Sequence, residues 1–270
     1  KWAQKNKNEL RAISPSIESH KIGEDWNDKI LKSINEHTSL VLISSIHWMN
    51  GTKFNLKEIG KKCKQYGAKF IVDGTQSVGA MKMDVDEFNI DALVCASYKW
   101  LFGPYSMGLA YFSDEFQNGD PIEESWMNRT NASNFSSLTE YDSKYQLKSN
   151  RFDVGEKSNF LLMPILLEGL KQINDWSVDN IYNYCENLSQ PLKNKLSEKG
   201  ILFEDNKYFS PHLFSLNLPK NVNPILLKSN LEKNKVFISL RGDFLRVSLN
   251  VFNNEKDVNK LIDVIQKTIT

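Results

Sequence analysis

The sequence is poor in the residues that mark several large functional classes. Its three cysteines are widely spaced and form no CxxC pair, which argues against a disulfide framework and against a cysteine-ligated zinc site. Its four histidines (His20, His37, His47 and His212) form no HxxxH or HExxH pattern, so a metallohydrolase would lack its ligands. We therefore expect no metal, and the unpaired cysteines favour a reducing, cytoplasmic location.

An excess of charge and a long apolar segment are both missing. The 34 Lys and Arg residues balance 33 Asp and Glu residues to a net charge of +1, which supplies no basic field for nucleic acid. The longest apolar run, residues 160–167, contains a proline and is far shorter than the roughly 20 residues that cross a bilayer. The sequence thus predicts a soluble protein that binds neither nucleic acid nor a membrane.

Familiar glycine-rich motifs are also missing. Neither GTQSVG at residues 74–79 nor GPYSMG at residues 103–108 matches GxGxxG, and no GxxxxGK[ST] occurs, so the phosphate cradles of the Rossmann and P-loop folds are absent. The GxSxG motif of a serine nucleophile does not occur either. These absences argue against the dinucleotide-binding, P-loop and serine-hydrolase classes.

The first half of the chain alternates helical patterns with short apolar runs. The helical patterns span residues 24–36 and 56–66, and the apolar runs span residues 40–46, 68–73, 91–97 and 106–112. This order predicts an α/β domain whose mostly parallel sheet is sandwiched by helices. Runs without a polar face further predict strands that are buried on both faces.

The second half of the chain has a different character. Residues 113–150 are polar and aperiodic, which is typical of a functional or interface loop. Helical patterns follow at residues 158–176, 178–199 (interrupted at Pro191), 224–234 and 255–269, with apolar strands at residues 212–218, 235–239 and 244–249. We therefore predict a large domain over residues 1–176 and a small α+β domain over residues 177–270.

Polar residues follow the ends of the predicted parallel strands, where ligands bind in open α/β sheets. His47 and Trp48 follow the first strand, Asp73 ends the second with Gln76 after its turn, and Lys99 follows the third. Taken singly, such residues are more often turn formers or solvated side chains than catalytic groups. Together, an amine and a carboxylate on adjacent strand ends can form a Schiff base with an aldehyde cofactor and keep its pyridine nitrogen protonated.

Two stretches, VDGTQSVGA at residues 72–80 and DALVCASYKWLFGPYSMG at residues 91–108, resemble the core of the class V aminotransferase-like enzymes. These are fold type I pyridoxal-phosphate proteins that include cysteine desulfurases, kynureninase and isopenicillin N epimerase-like proteins. The resemblance continues through residues 151–159 and 241–258 and so covers nearly the whole chain. It implies a pyridoxal 5′-phosphate cofactor, a small amino-acid substrate and a homodimer.

The resemblance assigns cofactor-binding roles to five residues of the predicted parallel sheet. Lys99 matches the Schiff-base lysine, which also moves protons at the substrate's Cα. Asp73 matches the partner of the pyridinium nitrogen, and Gln76 matches a hydrogen-bonding residue at the ring's 3-oxygen. Ser97 and Tyr98 match contacts to the cofactor phosphate.

Further roles follow from the same resemblance. His47 and Trp48 occupy the strand end that flanks the cofactor and the substrate. Arg246 matches the arginine that receives the substrate's α-carboxylate, and Arg241 is its rival for this role. An alternative for Arg246 is a surface ion pair with an acid such as Asp243. We count Lys99, Asp73 and Arg246 as the catalytic set.

Two departures from the family pattern lead to further expectations. Cysteine desulfurases carry a nucleophilic Cys shortly before the carboxylate-binding arginine, but residues 239–245 read SLRGDFL, so we expect that the chain is not a Cys-loop cysteine desulfurase. The opening KWAQK resembles a helix that follows the phosphate-binding loop of relatives, so we expect an N-terminal truncation. Transaminase, epimerase and lyase reactions remain open, as do a kynureninase-like hydrolase and a noncatalytic fragment.

Overall fold

A computed structural model describes residues 1–16, 21–140 and 142–269 of the chain, so His20 lies outside the described residues. The helices are α1 (Trp2–Lys5), α2 (Ile22–Ser33), α3 (Leu56–Tyr66), α4 (Leu162–Trp176), α5 (Val178–Ser197), α6 (Pro224–Lys233) and α7 (Glu255–Ile269). The strands are β1 (Leu40–Ser44), β2 (Lys69–Asp73), β3 (Ala92–Ala96), β4 (Gly108–Phe112), β5 (Leu213–Leu216), β6 (Ser239–Arg241) and β7 (Phe244–Ser248). Short 3-10 helices span Phe116–Asn118, Trp126–Asn128, Phe135–Ser137 and Lys148–Phe152. Within the described ranges, no helix is long and apolar enough to cross a membrane.

The chain forms two compact units. Unit 1 comprises Lys1–Thr38, Ile46–Gly67 and Tyr182–Thr270, and unit 2 comprises Ser39–Ser45 and Ala68–Ile181. Unit 1 therefore draws on both ends of the chain. The division into domains at residues 1–176 and 177–270 stays a prediction.

Unit 2 contains a four-stranded sheet in the order β1-β2-β3-β4. Strands β1, β2 and β3 are parallel, and β4 is antiparallel to β3, so the predicted mostly parallel sheet is confirmed. Asp73 at the end of β2 pairs with Ser44 of β1 and with Val94 of β3. The register thus brings the carboxyl ends of the parallel strands to one edge of the sheet.

Strand β1 is less buried than its apolar sequence predicts. Leu40 is 48% exposed and Leu42 is 67% exposed, whereas Phe70 and Val72 of the neighbouring strand β2 are fully buried. The expectation that residues 40–46 are buried on both faces is therefore wrong for this strand. An apolar run shows that both faces could be covered, but side chains stay buried only where another element packs on each face.

Unit 1 contains a three-stranded antiparallel sheet in the order β5-β7-β6. Its main core combines this sheet with buried side chains of α5, α6 and α7, including Leu192, Leu227 and Ile262. Along β7, Leu245 and Val247 point into this core, and Arg246 lies on the opposite face. The strand predicted at residues 244–249 is confirmed, with β7 spanning Phe244–Ser248.

Helix α5 runs through Pro191 without the interruption that the sequence predicts. Proline removes one backbone hydrogen bond and usually kinks or ends a helix. Here Leu188 and Leu192, on either side of the proline, are both buried in the unit 1 core. Packing on this continuous face compensates for the missing bond.

Strand β6 begins at Ser239, so only the last residue of the predicted strand at residues 235–239 lies in a strand. The preceding residues end helix α6 in a Schellman motif: Lys235 has a φ of +59°, and the N–H of Val236 donates to the carbonyl oxygen of Leu231 at 2.9 Å. The start of the apolar run therefore belongs to the helix end.

Candidate active site

Asp73 is the exposed last residue of β2, and its two carboxylate oxygens have different surroundings. Oδ1 accepts the N–H of Thr75 at 2.9 Å, and the hydroxyl of Thr75 accepts the N–H of Ala96 in β3 at 3.1 Å. Oδ2 has no hydrogen-bond or ion-pair partner among the described residues. One oxygen thus fixes the turn, and the other can bind a ligand.

Gln76 lies on the same turn and is buried. Its Oε1 accepts a hydrogen bond from the indole N–H of Trp100 at 3.3 Å. Because an indole nitrogen only donates, this contact sets the orientation of the amide and makes Nε2 its donor end. The fully buried hydroxyls of Ser77 and Ser45, 2.6 Å apart, tie the turn to the chain just after β1.

Ser97, Tyr98 and Lys99 form the turn that follows β3. Ser97 is fully buried, and its hydroxyl donates to the carbonyl oxygen of Pro104 at 2.7 Å. The half-exposed ring of Tyr98 stacks on Tyr105 with ring centroids 4.5 Å apart. Lys99 is partly exposed, with Nζ 5.6 Å from the centre of the Tyr98 ring. The serine therefore anchors the turn, and the two residues after it are accessible to a ligand.

Close backbone contacts hold this turn against helix α4. A Cβ added to Gly103 would lie 2.6 Å from the Cβ of Ser97, and a Cβ added to Gly169 of α4 would lie 2.6 Å from the carbonyl oxygen of Leu101. Real Cβ atoms do not approach so closely, so both positions require glycine. The backbone that carries Lys99 is therefore tightly packed.

In unit 1, His47 and Trp48 begin the loop that follows β1. Nδ1 of His47 lies 2.8 Å from Oδ1 of Asn50, which also accepts the N–H of Thr52 at 3.1 Å. Because this oxygen is the acceptor in both contacts, Nδ1 carries the proton and Nε2 is an acceptor. Burial lowers the pKa of His47 from its ordinary value, against the opposing effect of the Asn50 hydrogen bond.

Arg246 binds a backbone carbonyl group and has no acidic partner in the part of the chain that the structure describes. Its Nη1 donates to the carbonyl oxygen of Trp48, and its Nε is buried without a hydrogen-bond partner among the described residues. Burial lowers the pKa of Arg246, and the positive charge of Arg241 lowers it further. Across the described ranges, Arg246 forms no ion pair with Asp243 or with another acid. A half-buried guanidinium with an unused donor is suited to bind an anion.

The predicted site residues fall into two groups. Asp73, Gln76, Ser97, Tyr98 and Lys99 belong to unit 2, and His47, Trp48 and Arg246 belong to unit 1. Sequence reasoning missed Thr75, which joins two strand ends, and Asn50, which sets the proton position of His47. A small polar residue two or three positions after a candidate is a signal that could have found both. In the described residues, no cluster of His, Cys, Asp or Glu is placed to hold a metal ion.

Comparisons with known proteins agree on one family. A family model described as Aminotransferase class-V matches residues 3–261. An uncharacterised aminotransferase of Schizosaccharomyces pombe is 28% identical over 244 residues, which are 87% of this chain and 60% of that protein. A mitosomal cysteine desulfurase of Encephalitozoon cuniculi is 43% identical over 84 residues, which are 31% of this chain and 19% of that protein. The apo structure of a cysteine desulfurase from Thermococcus onnurineus NA1 has a TM-score of 0.75 and 21% identity, over 99% of this chain and 68% of that chain.

These comparisons correct one expectation. The statement that the chain is not a cysteine desulfurase is wrong, because named desulfurases are among both its relatives and its structural neighbours. The statement rested on a missing cysteine within residues 239–245, which form a tight hairpin, and one side chain there does not separate the chain from that group. The chain spans 60% and 54% of the lengths of two Schizosaccharomyces pombe proteins that it matches.

Proposed function

The chain belongs to the class-V aminotransferase family, and on this premise we propose that it is a pyridoxal-phosphate-dependent enzyme that acts on an amino acid. One observation carries the proposal: Asp73 ends strand β2, Lys99 lies in the turn after the neighbouring parallel strand β3, and a hydrogen-bonded turn anchors each of them. Membership of the family suggests pyridoxal-phosphate chemistry, and the positions of Lys99 and Asp73 suggest which residues perform it.

The donor set of unit 2 fits pyridoxal phosphate. Lys99 offers an amine to the aldehyde, and Oδ2 of Asp73, which has no partner among the described residues, offers an acceptor to the pyridine nitrogen. Gln76 presents its amide nitrogen as a donor, which suits the ring oxygen. Tyr98 has a hydroxyl for the phosphate, whereas Ser97 already donates its hydroxyl proton to Pro104. When bound, the cofactor supplies an electron sink for negative charge at the amino acid's Cα.

Each catalytic residue then has one task. Lys99 takes the proton from Cα and can return it, as a positioned general base and acid. Asp73 keeps a proton on the pyridine nitrogen through a charge-assisted hydrogen bond. Arg246 binds the α-carboxylate with two parallel N–H donors, and the carbonyl oxygen of Trp48 orients its guanidinium. In unit 1, burial lowers the pKa of His47, which favours its neutral form.

A product assay tests this proposal. The protein with added pyridoxal phosphate is given a panel of L-amino acids that includes cysteine and kynurenine, and keto acid, ammonia, sulfide and racemised amino acid are measured. We expect turnover of at least one amino acid by the wild type and by Lys82→Ala, which changes an exposed lysine of unit 2. Lys99→Ala should be inactive on the same amino acid. Absence of every product, or full activity of Lys99→Ala, would overturn the proposal.

We also propose that the protein is a cytosolic homodimer. Helix α4 and the residues before it leave Phe160 at 85%, Leu161 at 80% and Ile165 at 52% exposure, and such apolar patches mark interaction sites. The three cysteines are buried free thiols, which suits a reducing compartment. Light scattering on the purified protein tests the dimer, and a monomer at micromolar concentration would contradict it.

A further inference from the structure

Arg241 and Arg246 lie on the same face of the three-stranded sheet of unit 1. Ser239 of β6 is directly opposite Arg246 of β7, and Arg241 is two residues further along β6. Alternate residues of a strand share a face, so Arg241 is the diagonal neighbour of Arg246. Diagonal neighbours lie about 7–8 Å apart, which is within reach of two long side chains.

The turn between the two strands fixes the spacing of the arginines. Gly242 and Asp243 form a two-residue connection, and Arg241 pairs with Phe244 across it. The φ of +58° at Gly242 is typical of the first central residue of a type II′ hairpin turn. Neither arginine can move along its strand without changing the register of the hairpin.

No acidic side chain among the described residues neutralises this arginine pair. Throughout the described part of the chain, Arg241 and Arg246 form no ion pair, and Asp243 between them pairs with neither. Arg246 is half-buried with an unused Nε, and the charge of Arg241 opposes its own. Like charges within reach of each other repel. A ligand with two negative groups would relieve this repulsion, whereas a single carboxylate balances only one charge.

Two serine hydroxyls extend the same face. Ser215 of β5 and Ser239 of β6 lie directly opposite Arg246, one on each side. Both are half-buried, and within the described ranges neither hydroxyl has a hydrogen-bond partner. Hydroxyls donate readily to carboxylate oxygens. The face therefore offers two guanidinium groups and two hydroxyls at fixed spacing, and no carboxylate of the described residues pairs with them.

We propose that this face selects an amino acid with two acidic groups: Arg246 binds the α-carboxylate, and Arg241 binds a carboxylate on the substrate's side chain. The substrate class is thus a dicarboxylic α-amino acid such as aspartate or glutamate. The inference rests on the proposed function for the assignment of the α-carboxylate to Arg246. The hairpin geometry and the missing acidic partner carry the second contact independently.

Binding of two matched acids tests the second contact without any turnover. Glutarate carries two carboxylates and butyrate carries one, and calorimetry measures the affinity of the purified protein for each. We expect glutarate to bind about ten- to a hundredfold more tightly than butyrate, as one further charged hydrogen-bonded contact provides. Arg241→Gln should bind glutarate no better than butyrate while its butyrate affinity stays within about twofold of the wild type. Lys220→Gln, which removes an exposed charge from the same unit, should bind both acids as the wild type does.

Two results would overturn the inference. Equal affinity of the wild type for glutarate and butyrate would show that Arg241 binds no second carboxylate. An equal loss of both affinities in Arg241→Gln would show that the two arginines share one carboxylate. Failure of the proposed function would give a different result. A protein that prefers glutarate to butyrate but never attaches pyridoxal phosphate would support the two-carboxylate site and contradict the proposed enzyme class.

Discussion

The two oxygens of the Asp73 carboxylate allow a structural and a catalytic contribution to be separated. Asparagine keeps the oxygen that accepts the N–H of Thr75 but removes the negative charge. We expect Asp73→Asn to change the free energy of unfolding by less than about 0.5 kcal/mol. It should lower kcat/KM by about 1.5–3 kcal/mol, roughly ten- to a hundredfold, because a charge-assisted bond is lost. Denaturant unfolding and steady-state kinetics measure the two effects. Unchanged kinetics would show that Asp73 has only a structural role in its turn.

Arg246 tests the geometry of carboxylate binding. Its guanidinium can donate to the carbonyl oxygen of Trp48 and still present two donors to a carboxylate, whereas a lysine ammonium has no planar fork. We expect Arg246→Lys to lower kcat/KM by about 1.5–3 kcal/mol, roughly ten- to a hundredfold, without changing the visible absorbance of the bound cofactor. Arg241→Lys is the comparison. A silent Arg246→Lys together with a large α-carboxylate effect in Arg241→Lys would exchange the two assignments.

His47 makes the free energy of unfolding depend on pH, and the direction of this dependence is predictable. Burial lowers its pKa in the folded state below the ordinary value of 6.5, so the unfolded chain binds more protons as the pH falls. The stability that the neutral ring provides is present above about pH 6.5 and is lost as the pH falls through the lower, folded-state pKa. We expect the wild type to lose more stability than His47→Gln between about pH 7 and about pH 5, measured by urea unfolding. His37→Gln, at an exposed histidine, should follow the wild type. Identical pH dependence of the wild type and His47→Gln would contradict this.

Among the elements, helix ends with a strong local signal are predictable, and strand starts within apolar runs are less so. Helix α3 ends as the sequence predicts, because Gly67 takes a φ of +70° and its N–H donates to the carbonyl oxygens of Cys63 and Lys64. The sequence predicts that Val236 and Ile238 lie in a strand. They pack against the unit 1 core, but they precede strand β6. Apolar spacing predicts that such residues pack on the core. Only pairing with the neighbouring strand determines which of them belong to the strand.

The hairpin between β6 and β7 depends on one glycine. Gly242 has a left-handed φ, and no atom lies within 4 Å of a Cβ added there, so the cost of Gly242→Ala is conformational. We expect it to lower the free energy of unfolding by about 1–2 kcal/mol and to weaken glutarate binding by displacing the arginines. Gly67→Ala is the matched control, since Gly67 has a similar φ and open space but lies at the end of α3. It should cost similar stability and leave glutarate binding unchanged. An equal loss of glutarate binding in both variants would show that the Gly242 turn does not specifically position the arginines.

At the scale of the whole molecule, the sequence predicts the fold class better than it predicts the individual contacts. Lys99 and Asp73 could be proposed as site residues because Asp73 ends one strand that an apolar run marks and Lys99 lies in the turn after the next. The bond from Arg246 to Trp48 joins residues 198 positions apart, so no local pattern predicts it. It depends on the register of β7 and on the conformation of a distant loop. The side chains that bind a substrate are likewise brought together by strand register and loop conformation. For that reason the family alone does not name the amino acid.

Covalent attachment of pyridoxal phosphate to Lys99 is the central claim about this protein. Protein incubated with the cofactor is reduced with borohydride, digested and examined by mass spectrometry for the peptide that contains Tyr98, Lys99 and Trp100. We expect the cofactor mass on Lys99 in the wild type and in Lys82→Ala, and no labelled peptide in Lys99→Ala. Attachment to a different lysine, or no attachment at all, would contradict the claim.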